Sequence, residues 1–323
     1  MRAARSLASG LLLAALVAST LSCVTVSKMA GRNFAALASD PTPVKTRITN
    51  PVRPDARLAV LWIGHATTLV QMDDKFVMTD PVFTDTVGQL SKRLVEPGID
   101  PDFLPTVDVT VISHMHFDHL SYGSLDLVEP KLKQLLVPQG GLIYVPNYRF
   151  ETDEVATWHS WQSGDLKVTA VPVEHVGFRY GIDATWMTKS FSGWVFEYHG
   201  LTVYFGGDTA YVKENFTKTA ERFPHIDVAL LPIAPIHPRG FMKRTHVDPA
   251  EAVQAFLDLG AKVMIPVHFD TFVNSEDEPG EAKRVLEGVM KARDLGPDRV
   301  QILGIGEQRV VVPAAECPAK DSP

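Results

Sequence analysis

The segment His114-Met115-His116-Phe117-Asp118-His119 places four potential metal ligands within six residues. Neutral imidazole and carboxylate are the donors that zinc and its relatives accept, and catalytic centres keep one position for water. The preceding run, Val107-Asp108-Val109-Thr110-Val111-Ile112-Ser113, is β-branched and apolar, which predicts a buried strand. The ligands therefore begin where a strand ends. Side chains two apart on extended backbone point the same way, so His114 and His116 can grip one ion while Asp118 and His119, past the bend, reach a second.

Three further candidates follow apolar runs in the same manner. Val168 to Glu174 leads into His175, Leu201 to Phe205 leads through Gly206-Gly207 to Asp208, and Ala261 to Val267 leads into His268. A single His or Asp at a strand end is commonly just a solvated terminus. Four strand ends with such residues point to one site, because α/β sheets gather their ligands at the carboxyl ends of strands.

These motifs resemble those of the metallo-β-lactamase fold superfamily. The segments LWIGHATTLVQMDDKFVMTDPVF, VISHMHFDHLSYGSL, GGDTAY and FMKRTHVDPAEAV are more narrowly similar to its N-acyl-phosphatidylethanolamine-hydrolysing phospholipase D branch, over roughly residues 61–306. The resemblance implies a first metal held by His114, His116 and His175, a second held by Asp118, His119 and His268, and Asp208 bridging both. Two Zn2+ per chain are expected, with Mn or Fe as alternatives that sequence does not separate. Two metals about 3.5 to 4 Å apart would generate hydroxide near neutral pH and stabilise charge on a phosphoryl group, and Asp118 is expected to steer that nucleophile. His246, in Arg244-Thr245-His246-Val247-Asp248, is placed by the resemblance at the mouth of the site, where it would contact a phosphate or the leaving alkoxide. A metal-bound His needs an acceptor for its other ring N–H, and Asp80 is the candidate, with His65 beside it outside the ligand set. His237, Arg239, Lys243 and Arg244 form the candidate substrate-binding rim, and Trp186, Phe191, Trp194, Phe241 and Met242 are candidates for apolar contact with acyl chains.

The elements that must position these groups read as alternating strands and helices. Strands are expected at Arg57 to Ile63, Lys75 to Met78, Val107 to Ile112, Leu166 to Val173, Gly193 to Tyr198, Leu201 to Phe205, Val228 to Ile233, Lys262 to Val267 and Val300 to Ile305. Asp248-Pro249-Ala250-Glu251 is a strong helix start closed by Gly260, and a second helix is expected from Gly280 to Leu295. Strands interrupted by helices in both halves suit an α/β fold of two mixed sheets between helical layers, the αββα sandwich that the resemblance also implies. The 323 residues, 45% apolar and 21% charged, suit one such domain at residues 56–313.

Residues 1–23 have the basic start and apolar stretch of a signal peptide. Thr20-Leu21-Ser22-Cys23 resembles a bacterial lipobox, so an exported, lipid-anchored protein at the cell envelope is expected, with a soluble periplasmic or secreted form as the alternative. A disulfide between Cys23 and Cys317 is permitted in an oxidising compartment but nothing requires it. Residues 24–55, with four prolines, read as a linker or wrapping arm, and 314–323 as a tail.

A net charge of −7 with no basic stripe argues against a nucleic-acid partner. The expected function is a binuclear phosphodiesterase of phospholipase D type acting on N-acyl-phosphatidylethanolamine or a related phospholipid or small phosphodiester. The alternative is a lactonase or soluble phosphodiesterase, since Thr188-Lys189-Ser190-Phe191-Ser192-Gly193-Trp194 departs from the Trp-Gly-Ser-Trp of the phospholipases. A diiron redox protein would carry Glu where His116 stands, and a closed structural zinc site would favour Cys ligands.

Overall fold

A computed structural model describes residues 31–32, 39–45, 47–88, 91–180 and 190–314. The signal-peptide and lipobox residues, Trp186 and Cys317 lie outside the described residues. Two sheets dominate the structure. The first contains β1 (Ala56–Gly64), β2 (Thr67–Met72), β3 (Lys75–Thr79), β6 (Val109–Val111), β7 (Gln134–Pro138), β8 (Glu151–Val155) and β15 (Gln308–Pro313), in the order β15-β1-β2-β3-β6-β7-β8. The second contains β9 (Ser160–Ser163), β10 (Leu166–Val171), β11 (Gly193–Tyr198), β12 (Leu201–Phe205), β13 (Val228–Pro232) and β14 (Val263–Val267), in the order β14-β13-β12-β11-β10-β9. A two-stranded ribbon, β4 (Thr86–Val87) with β5 (Ser91–Lys92), stands apart.

Both faces of the first sheet are covered, and the alternation of side chains along β1 shows how. Leu58, Val60 and Trp62 join the core shared with Val168, Trp194, Phe196 and Phe205 of the second sheet. Leu61 and Ile63 join a separate core, in which α1 (Tyr122–Val128) contributes Leu125 and Val128. The second sheet packs on α4 (Pro249–Leu259), which also touches α2 (Lys213–Arg222) and α5 (Glu281–Ala292). The short α3 (Arg239–Met242) precedes α4. This is the αββα arrangement expected from the sequence.

Strand directions bring the candidate residues to one edge. β12, β13 and β14 are mutually parallel, while β10 is antiparallel to β11 and β11 to β12. The carboxyl ends of β10, β12 and β14 therefore point the same way, delivering His175, Asp208 and His268 together.

The structure corrects the expected strand at Val300 to Ile305. Val300 makes one parallel bridge to Met264, and the last strand is β15, antiparallel to β1. Gly306, at φ +85°, turns the chain before that strand, and its amide packs so closely on Gly98 that a Cβ there would come within 2.4 Å of it. The arm is docked where it is described: Thr42 pairs with Val95, Ile48 pairs with Ile99, and Gln71 donates to Arg53 O at 2.8 Å. No helix among the described residues is long and apolar enough to cross a membrane.

The start of α4 is a complete capping box. Asp248 accepts from Glu251 N at 2.9 Å, Glu251 reaches back to Asp248 N at 3.3 Å, and Gly260 closes the helix at φ +63°. Asp248→Ala is expected to lower stability by about 1 kcal/mol, read as a lower urea midpoint with an unchanged slope.

Candidate metal centre

All seven residues carrying the proposed ligand pattern converge. His114, His116 and His175 bring one ligand atom each to within 4.8 Å of one another, and Asp118, His119 and His268 do the same together with His65. Asp208 lies between the two groups. Its Oδ2 is 4.0 Å from both His114 Nε2 and His175 Nε2 and 3.3 Å from His119 Nε2, while Oδ1 is 3.1 Å from His268 Nε2.

Local packing fixes this approach. Gly207 has φ +56°, and a Cβ on it would fall 2.3 Å from Ser113 Cβ, so the Gly206-Gly207 turn can bring Asp208 against the end of β6 only without a side chain. His268 itself sits at φ +64° and His65 at φ +54°, both in the left-handed region that non-glycine residues rarely occupy.

The ring nitrogens that face away from the centre are already engaged. His119 Nδ1 lies 2.6 Å from Asp80 Oδ2, and His114 Nδ1 is 2.9 Å from Ser113 Oγ, which donates to Asp80 Oδ2 at 2.6 Å. His175 Nδ1 donates to Thr245 O at 2.8 Å and His268 Nδ1 to Ala234 O at 3.0 Å. Each bond leaves the Nε2 lone pair directed inward. His116 instead turns Nδ1 to within 2.8 Å of His114 Nε2.

The inward atoms call for positive charge, from bound cations or from added ring protons. Nε2 of His119, His175 and His268 and Oδ1 of Asp208 are buried without hydrogen-bond partners. An imidazole whose Nδ1 carries the hydrogen presents a lone pair from Nε2, so His119 and His268 would face carboxylate oxygens lone pair to lone pair at 3.3 and 3.1 Å. A metal ion between them removes that conflict. Burial alone would lower His119 and His268, yet Asp208, aided at His119 by Asp80 and Asp118, raises both above the ordinary imidazole value. Burial would likewise raise Asp208 and Asp118, but the surrounding imidazoles hold both well below the usual carboxylate range. The pocket is short of positive charge. In the other group, burial pushes His114, His116 and His175 down, keeping them neutral as ligands must be.

Asp80 is fully buried and accepts from Ser113 N at 2.6 Å as well as from the two side chains. His65 Nε2 lies 3.1 Å from Asp118 Oδ2, and burial lowers its pKa to about 3. His246 stands with Nδ1 3.6 Å from Asp208 Oδ2 and without a hydrogen-bond partner, and burial lowers its pKa to about 4.

The expected substrate rim needs revision. Arg239 is occupied: its guanidinium binds Glu251, Asp248 Oδ2 at 3.2 Å and His246 O at 2.9 Å, tying the His246 loop to the start of α4. His237 pairs with Glu281 at 3.1 Å and its amide donates to Asp277, in a group apart from the centre. Both are held by carboxylates that the local sequence did not connect to them. Lys243 and Arg244 remain exposed beside exposed Phe241. Trp194 and Met242 are buried, and Trp194 Nε1 donates to Ile112 O at 3.1 Å, so neither is available to an acyl chain. Sequence reasoning missed Ser113, the hydroxyl that joins Asp80 to His114, and Thr271, whose Oγ1 accepts from His65 N at 2.7 Å. A short polar residue beside a ligand gives no periodic signal.

The family model described as beta-lactamase superfamily domain matches residues 75–269. The chain belongs to that family and is a metal-dependent hydrolase of the metallo-β-lactamase fold. It is 34% identical over 259 residues to an uncharacterized protein of Mycobacterium tuberculosis, covering 76% of this chain and 68% of that one. It is 28% identical over 270 residues to N-acyl-phosphatidylethanolamine-hydrolyzing phospholipase D 1 of Caenorhabditis elegans, covering 78% and 75%. In fold it is similar to isothiocyanate hydrolase from Delia radicum gut bacteria, with TM-score 0.63 and 17% identity over 79% of this chain and 100% of that one.

Asp80→Ala is expected to weaken metal binding about tenfold to a hundredfold, because His119 loses its acceptor and Ser113 its anchor. Chelator competition against zinc measures this directly.

Proposed function

We propose that this chain is a binuclear phosphodiesterase of phospholipase D type, which hydrolyses N-acyl-phosphatidylethanolamine or a related phospholipid. The observation that carries the metal reading is Asp208, whose Oδ1 faces His268 Nε2 at 3.1 Å and whose Oδ2 lies between His119 Nε2 at 3.3 Å and His175 Nε2 at 4.0 Å, all three nitrogens being unpartnered. His114, His116 and His175 would hold one ion, Asp118, His119 and His268 the other, and Asp208 would touch both. Zinc fits the His and carboxylate donors, as do manganese and iron. Bound there, the ions supply Lewis acidity toward a phosphoryl oxygen and lower the pKa of water.

The chain's own groups have separable tasks. Asp118, kept ionised by His119 and His65, can accept a hydrogen bond from attacking water and orient it. His65 fixes that carboxylate from behind. His246, neutral because burial depresses its pKa, has a buried, unpartnered Nδ1 3.6 Å from Asp208 Oδ2, where it can hydrogen-bond a phosphate oxygen bound at the centre. Lys243 and Arg244 offer positive charge to the same phosphate. Water adds across the bond between phosphorus and the ethanolamine oxygen, giving phosphatidate and the N-acylated amino alcohol.

The substrate is supported by the 28% identity to the Caenorhabditis elegans phospholipase over most of both chains. The basic and apolar residues Lys243, Arg244 and Phe241, exposed and close to His246 in the chain, suit a lipid phosphate. The export signal and Cys23 extend this proposal by setting the chemistry beside a membrane of the cell envelope through a lipid anchor. The second reading, a lactonase or soluble phosphodiesterase on the same metals, is favoured by the departure at Thr188 to Trp194 and by the burial of Trp194.

Metal-loaded protein is expected to release phosphatidate from N-acyl-phosphatidylethanolamine, with His116→Ala inactive. Cleavage of soluble diesters without lipid turnover would move the assignment to the second reading, and lactone hydrolysis alone would remove the phosphodiesterase. His246→Ala is expected to lower kcat about a hundredfold or more, as loss of a hydrogen bond to the reacting phosphate would, while leaving zinc content unchanged.

A further inference from the structure

Arg179 lies four residues beyond His175 and is only 5% exposed. Its Nη1 donates to Met115 O at 3.0 Å and to Leu120 O at 2.8 Å. One guanidinium nitrogen thus ties together the residue just before His116 and the residue just after His119. The guanidinium carbon also lies 4.5 Å from the ring centre of Phe117 and 4.1 Å from that of Tyr122, so the cation stacks on the aromatic residues of the ligand loop and of the first turn of α1. The adjoining Phe178 meets the His116 ring edge-on at 4.9 Å. Gly177 docks this segment closely, since a Cβ there would come 2.8 Å from Ser190 O.

Two loops that carry ligands to the first ion, one holding His114 and His116 and the other His175, are therefore joined by a group that the hydrolytic chemistry does not use. We propose that Arg179 is a positioning residue that clamps the ligand loop across both ends and fixes His116 and Asp118 relative to His175, so that the centre is formed before metal arrives. The proposal rests on the metal reading given above. A planar guanidinium suits this task because it donates in its plane while its faces stack on rings; a lysine ammonium provides charge without that shape.

The test loads wild-type protein, Arg179→Lys and Arg179→Met with cobalt(II), whose visible spectrum reports ligand geometry. Arg179→Met is expected to bind cobalt at least tenfold more weakly, to shift the visible bands, and to lose more Tm in the cobalt-loaded form than in the metal-free form. Arg179→Lys is expected to fall between Arg179→Met and the wild type. An unchanged spectrum and affinity, or an equal Tm loss with and without cobalt, would overturn the clamp in favour of general packing. Should Arg179→Met not fold, Arg179→Lys and Tyr122→Leu carry the same comparison: shifted bands uphold the clamp and wild-type bands overturn it. Wild-type protein that takes up no cobalt would overturn the metal reading and the clamp with it, which distinguishes that failure from one confined to the variants.

Discussion

The structure depends on the unresolved charge at Asp208. A carboxylate almost fully removed from water is surrounded by imidazoles whose other nitrogens are bonded outward, so that neutral rings at His119 and His268 oppose lone pair to lone pair across little more than 3 Å. Burying an uncompensated charge costs several kcal/mol, and an unpaired buried donor or acceptor costs a further ~1–3 kcal/mol. Protonating His119 and His268 lets their Nε2–H groups donate to Asp208, but it leaves Nε2 of His116 and His175 without partners. Divalent cations held as proposed would satisfy them together. The outward bonds to Asp80, Ser113, Thr245 and Ala234 are thus the means by which the fold aims its ligands.

Backbone geometry makes that convergence possible. Parallel alignment of β10, β12 and β14 delivers three of the residues to one edge, and β6 of the other sheet delivers the fourth group across the sandwich. Gly207 allows the closest approach, seating the Asp208 turn against Ser113. Positive φ angles at His65 and His268 are strain that the surrounding contacts must support: His65 N donates to Thr271, and His268 N to His65 O, so the two strained residues brace one another.

Much of this was legible in the sequence because ligand chemistry and strand patterning coincide. The block from His114 to His119, the later His175, Asp208 and His268, and the acceptor Asp80 are all drawn to one place. The capping box at Asp248 was readable for the same reason, since side-chain type and local hydrogen bonding agree. The polar edge strands β8 and β9 were not, because their exposure leaves little apolar alternation to detect. Val300 to Ile305 misled in the opposite sense: its apolar residues pack against the core, but Gly304 and Gly306 turn the chain and postpone pairing to β15. Arg239 and His237 show the remaining limit. Charge near a site reads as substrate affinity in sequence, whereas Glu251 and Glu281, brought in by the helix starts, decide whether that charge is free.

The central claim is that one buried carboxylate organises two ions. Crystals of zinc-loaded protein measured on both sides of the zinc absorption edge test it most directly. Two anomalous peaks are expected, one among His114, His116 and His175 and the other among Asp118, His119 and His268, with Asp208 between them. A single peak, or zinc bound away from Asp208, would contradict the account.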